Sequence, residues 1–201
     1  MQRRGLIIGA VVVIVLLMLL IGGGTISTYN TLVSLDQEVE SQWAQVENAY
    51  QRRADLVPNL VQTVKGAAAH ERETLEAVTA ARARVGSVTG VGAAADPQAL
   101  QRYQAAQDQL SSALTRLVAV SEAYPQLRAN DNFLALQSQL EGTENRISVE
   151  RRRFNEAARD FNTRRESFPT VVFAGVLGDR FKPKAYFTAA AGAAEAPKVE
   201  F

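Results

Sequence analysis

The chain reads as all-α: an N-terminal transmembrane helix followed by an antiparallel up-down-up-down bundle of four long helices. Three observations predict this. Gly5–Ile21 is an uninterrupted apolar run. Beyond it, apolar residues recur at spacings of three and four, the pattern of helices buried along one face. No strand-like alternation of useful length interrupts them, and short turns between the stripes make sequential helices antiparallel neighbours.

Gly5–Ile21 carries no charge and no polar side chain. With Gly22–Gly24 it reaches the roughly 20 residues that a helix needs to cross a bilayer. A cleaved signal peptide is the competing reading, with Gly22-Gly23-Gly24 as its small residues. The apolar core of such a peptide usually runs about 7–15 residues, so the length suits an uncleaved anchor better. Arg3 and Arg4 precede the run, and no Lys or Arg follows until Arg52. The positive-inside rule then holds the N-terminus in the cytoplasm and places the body across the membrane. There is no cysteine, which excludes lipid attachment at a thiol and permits an oxidising compartment. The chain divides into a cytoplasmic stub and anchor over 1–24, a bundle over 25–167 and an apolar tail over 168–201.

Basic and acidic residues nearly balance, 22 against 21. A nucleic-acid binder needs a concentrated basic surface to neutralise phosphates, so that class is disfavoured. The run Arg151-Arg152-Arg153 reads as a solvated helix face.

The first soluble stripe is Leu32, Leu35, Val39, Trp43, Val46 and Tyr50. Gly22–Gly24 either breaks it from the anchor or lets one helix run through. Arg52–Pro58 then reads as a tight turn, with Asp55 capping a second helix that runs to about Val85. A bent continuous helix is the alternative. The second stripe is Leu60, Val64, Ala67 or Ala68, Glu71, Leu75, Val78, Arg82 and Val85. Gly86–Ala95 reads as a flexible connection. Its Gly90-Val91-Gly92 lacks the preceding strand of a nucleotide loop. Asp96-Pro97 starts a third helix, with Leu100, Tyr103, Gln107, Leu110, Leu114, Leu117, Ser121 and Tyr124 at coiled-coil spacing, and Pro125 stops it. Asn130-Asp131-Asn132 caps a fourth helix reaching Ser167. Its stripe is Phe133, Leu136, Leu140, Glu144, Ile147, Arg151, Phe154, Ala158, Phe161, Arg165 and Phe168. Phe154-Asn155, Phe161-Asn162 and Phe168-Pro169 fall seven residues apart, which supports nearly parallel packing. Helices of about 30 residues would reach roughly 45 Å from the bilayer.

Five of the eight Phe lie in the tail from Phe168. Such a tail is expected to fold back on the bundle. Because the fourth helix returns toward the membrane, Phe168 and Val171–Leu177 are expected at the membrane-proximal end, either capping the bundle or touching lipid. The same topology would bring Gly86–Asp96 to the foot of the bundle.

No catalytic, cofactor or metal site emerges. There is one His and no Cys. His70-Glu71 lacks the second His of a zinc-protease helix, and residue 67, three before His70, is Ala rather than the Glu of a di-iron bundle. No strained Gly-x-Ser-x-Gly turn exists. His70 reads as an exposed or capping residue on the second helix. Charge on core-type stripes is the unusual feature: Glu71 with Arg82, and Glu144 with Arg151. Either these side chains snorkel into solvent, or Glu71 or Glu144 pairs with an Arg from a facing helix.

Several ordered segments together resemble the LemA family of bacterial membrane proteins. They include Tyr29-Asn30-x-Leu32-Val33, Trp43-Ala44-x-Val46-Glu47 and Gln51–Val61 (QRRADLVPNLV). Further along are His70-Glu71, Ala81-Arg82, Glu122-Ala123-Tyr124-Pro125 and Leu140–Ile147 (LEGTENRI). Arg151-Arg152-x-Phe154-Asn155, Phe161-Asn162-Thr163, Phe168-Pro169 and Ala196-Pro197-x-Val199-x-Phe201 complete the set. The resemblance implies a single-pass protein with an antiparallel helical body and little chemistry. One branch of the family is associated with magnetosome membrane formation, and no residue ties this chain to that branch. Gly86–Asp96 carries no family signal.

The expected function is therefore that of a non-enzymatic, membrane-anchored scaffold or interaction protein of the bacterial envelope, in the plasma (inner) membrane with its body extracytoplasmic. Its partners would be the lipid bilayer and an envelope protein or a second copy, and not nucleic acid; no cofactor is expected. The alternative is an accessory or regulator of a membrane-associated peptidase or other envelope enzyme.

Overall fold

The computed structural model describes residues 2–188, except 69, 89, 91 and 177. Every regular element among them is helical: α1 Gln2–Ala67, α2 Arg72–Ser87, α3 Pro97–Ala123, α4 Pro125–Arg128, α5 Asp131–Glu166 and α6 Thr170–Val176. Short 3₁₀ turns occupy Ala93–Ala95 and Gly178–Phe181. The terminal motif Ala196–Phe201 lies outside the described residues.

The anchor and the first bundle helix are one element. Gly22–Gly24 continue the helix, although each glycine costs about 1 kcal/mol against Ala. The helix also passes through Pro58, so the turn expected at Arg52–Pro58 does not form. Proline lacks an N–H, which strands the carbonyl four residues earlier. That carbonyl belongs to Ala54, and the Arg82 Nε of α2 donates to it across 3.1 Å. Asp55, expected as a cap, instead accepts from Gln51 Nε2 within the helix at 2.8 Å. The true break is Ala68–Glu71. From Thr25 to Ala67 the helix extends about 65 Å, well beyond the 45 Å expected. Its partner α2 is correspondingly short, at 16 residues.

Pairings define the directions. Trp43 meets Phe154 and Arg53 meets Glu144, so α1 and α5 run antiparallel. Arg82 reaches Ala54, and Arg84 Nη1 donates to Gln109 Oε1, so α2 opposes both α1 and α3. Two helix starts form as their residues dictate. The Asp96 carboxylate accepts from Gln98 N at 2.9 Å ahead of Pro97, and the Asn130 side chain accepts from Phe133 N at 3.1 Å.

The Gly86–Asp96 connection meets mid-α1 through Gly90 and Ala93, not the foot of the bundle. A side chain on Gly90 would collide with the Glu47 carboxylate and the Trp43 ring. Ala93 is fully buried, and Gly92 (φ 75°) supplies the left-handed turn before it.

After α6 and the second 3₁₀ turn, residues 182–188 form an extended strap along α3 and α5. Phe181 packs edge-on to Tyr29, and Phe187 packs against Trp43 and Phe154. Each such buried Phe contributes about 1.5–3 kcal/mol by burial.

Replacing Arg82 with Gln should lower stability by about 1–3 kcal/mol, the range for leaving a buried acceptor unsatisfied. In a Pro58→Ala background the restored N–H serves Ala54 instead, and the same substitution should cost much less. A double-mutant cycle from chemical unfolding reads the difference; equal costs in the two backgrounds would contradict this role of Arg82.

Candidate functional site

Two apolar clusters fill the bundle. One gathers Leu32, Val39, Trp43, Val46 and Tyr50 of α1 with Phe154 and Phe161 of α5 and Phe181 and Phe187 of the tail. The other gathers Val57, Leu60 and Val64 with Leu75, Leu110, Leu114, Leu117 and Phe133. Between them in the chain sits a polar layer centred on Arg53, which is 2% exposed.

The Arg53 guanidinium is held from three sides. Nη1 donates to Glu144 Oε1 at 2.8 Å. Nη2 donates to the Gln107 carbonyl at 3.0 Å and to the Gln107 side-chain oxygen. The ring of Tyr50 lies 5.1 Å from the guanidinium carbon. A buried charge without such partners would cost several kcal/mol, and Glu144, with its side chain 37% exposed, supplies the countercharge from the rim. Of the two readings of Glu144, the structure therefore takes the paired one. Arg53 escaped the sequence reading because it lay in the supposed turn. Gln107, a polar residue in an otherwise apolar coiled-coil stripe, was the visible signal.

The other stripe charges behave differently. Glu71 pairs instead with a phenol: its Oε1 accepts from Tyr124 Oη at 2.9 Å, which pushes that phenol up. Arg82 serves the Ala54 carbonyl. Arg151 sits 3.8 Å from Asp108 and 4.7 Å from the Phe187 ring centre. His70 is an exposed residue of the α1–α2 connection rather than of a helix. Among the described residues no three His, Cys, Asp or Glu side chains gather in a way that could hold a metal ion.

The strap is clasped through its backbone. Asn162 donates to the Lys184 carbonyl at 2.9 Å and accepts from Lys184 N at 2.8 Å. Asn155 treats Phe187 the same way, at 3.0 and 2.9 Å. Gln104 does so with Thr188, at 2.9 and 3.4 Å. An amide side chain offers one donor and one acceptor, so it can replace a neighbouring strand for one residue. Lys184 also pairs with Asp36 of α1 and lies over the Phe161 ring. These contacts specify where the strap lies without presenting a reactive group.

The aromatic centre is buried. Trp43 packs 5.4 Å from Tyr103 and 5.4 Å from Phe154. Burial pushes the Tyr50 phenol from 10.0 to about 12; burial, then the nearby Glu47 carboxylate, pushes Tyr103 to about 12 as well.

Two outcomes follow from the layer and its tyrosines. Glu144→Leu should cost about 3 kcal/mol, because it leaves Arg53 a buried charge without its counterion. Adding Arg53→Met should recover part of that loss; unfolding midpoints that simply sum the two single effects would contradict the coupling. For the tyrosines, the folded state holds protons that the unfolded chain releases first. Their stabilising contribution is complete below pH 10.0 and is lost as pH rises toward about 12. The melting temperature should fall across that window, and less steeply in Tyr50→Phe/Tyr103→Phe; identical slopes would contradict the assignment.

The chain resembles three curated proteins at 27% identity over 176 residues. They are the magnetosome proteins MamQ 1 and MamQ 2 of Paramagnetospirillum magneticum and MamQ of Magnetospirillum gryphiswaldense. The match covers 79% of this chain and 64% of each relative, so the chain spans a little under two thirds of their length. The family model of the LemA family matches residues 42–201. With most of its length matched in this way, the chain belongs to the LemA family.

Proposed function

We propose that the chain is a non-enzymatic helical scaffold of the bacterial envelope, anchored in the membrane by the first third of α1 and acting through contact with envelope proteins or with itself. One observation carries this reading. Within α1 the segment Val11–Leu20 is apolar and its side chains are about half to 71% exposed, and α1 is long and apolar enough to cross a membrane. Exposed apolar surface on this scale is unfavourable in water and favourable in hydrocarbon. The same helix then carries the buried face of the bundle, so the anchor and the body share one continuous helix. Family membership and membership of the relatives in the same family support a membrane role.

Arg3 and Arg4 support an inside N-terminus and a body on the outer side of the plasma membrane. The groups described above act on one another, as clasps and a buried ion pair, which supports a contact role over a chemical one.

Protease added outside intact cells should digest the bundle, and crosslinking in intact membranes should trap a discrete adduct with an envelope protein or a second copy. Full protection of the bundle, with access shown by a control protein, would overturn the orientation. Recovery of uncrosslinked monomer alone would overturn the scaffold.

A further inference from the structure

The membrane-side end of the bundle exposes a second apolar surface. Phe168 is 82% exposed, Val172 56% and Val171 46%, and Ile26 of α1 is 64% exposed. In α6 the opposite face is fixed to the protein: Thr170 is fully buried and Ala174 nearly so. A helix lying on a bundle ordinarily turns polar residues outward. Here Val171 and Val172 face outward and are apolar.

Its height is set by its neighbours. The 3₁₀ turn that follows α6 ends at Phe181, which packs 5.8 Å from Tyr29 and whose carbonyl accepts from Arg165 Nε. Tyr29 lies five residues past Gly24, about 7–8 Å along the helix. The polar layer of a bilayer is about 5–8 Å thick on each side of its hydrocarbon core. The surface therefore falls at headgroup depth. The stretch from the last turn of α5 to the strap carries Arg164, Arg165, Arg180 and Lys182 against Glu166 and Asp179. That balance suits a surface carrying anionic headgroups.

We infer that Phe168, Val171 and Val172 seat in the headgroup layer of the same bilayer that α1 spans, as a second foot beside the anchor. Two points of contact would hold the bundle at a set tilt and present its far end at a set distance from the membrane. The inference rests on the proposed spanning role of α1, and the test separates the two.

The chain has no cysteine, so single-cysteine variants of the full chain take one label each. Met18→Cys reports the span, Val172→Cys the α6 surface, and Ser138→Cys the exposed far part of α5. Each is labelled with a fluorophore and reconstituted in vesicles of phosphatidylethanolamine and phosphatidylglycerol, with and without nitroxide-bearing lipid. The label at Val172→Cys should be quenched to an extent comparable with Met18→Cys and several-fold more than Ser138→Cys. Quenching at Met18→Cys with only the Ser138→Cys background at Val172→Cys would overturn the second foot and leave the anchor standing. Background quenching at Met18→Cys would overturn the anchor itself.

Discussion

The continuity of α1 through Pro58 is the constraint on which the rest of the molecule depends. A proline in mid-helix removes one donor and strands one acceptor. Here the stranded Ala54 carbonyl receives Arg82 from α2. The repair has a consequence for topology. It ties α2 to α1 at one height, and so sets where the Ala68–Glu71 connection must turn the chain.

Five residues before Pro58, Arg53 performs a related task between the other helices. It binds Glu144 of α5 and both the backbone and side chain of Gln107 of α3. Apolar contacts alone allow long helices to slide by a heptad at modest cost, whereas a buried charge demands its partners at one register. Trp43, Tyr103, Phe154 and Phe187 can interlock because that register is held. The strap is then held by hydrogen bonds from Gln104, Asn155 and Asn162 to its backbone and by its own Lys184 and Phe187.

Burial writes a period into a helix, and the α3 stripe follows it: Leu100, Tyr103, Gln107, Leu110, Leu114, Leu117 and Ser121 are all buried. In α5 the stripe holds at Phe133, Leu140, Ile147, Phe154, Ala158 and Phe161 but not at Phe168, which lies past the end of the helix at Glu166 and is exposed. The turn expected at Arg52–Pro58 does not form because the local rule that proline ends helices is overridden by a donor 28 residues away. The same local rule hid Arg53. The Phe154-Asn155 and Phe161-Asn162 pairs were visible as a heptad repeat. Their Phe members report packing, but the role of the Asn members depends on a strap whose position no periodicity encodes. Gly86–Asp96 looked flexible because small residues mark both loops and close contacts; Gly90 against Trp43 is the second case.

The apolar N-terminal segment and the first helix of the bundle are one element, and in the proposed role that continuity couples whatever touches the body to the lipid. Within the body, that continuity depends on the helix running through Pro58. Spin labels at Ala44→Cys and Gln62→Cys, both exposed and on the same face of α1 across Pro58, test it directly by a pulsed electron-spin distance measurement. A continuous helix requires a single narrow distribution near 27 Å, about five turns. A short distance from a hairpin at Arg52–Pro58, or a broad distribution from a loose joint there, would contradict the account.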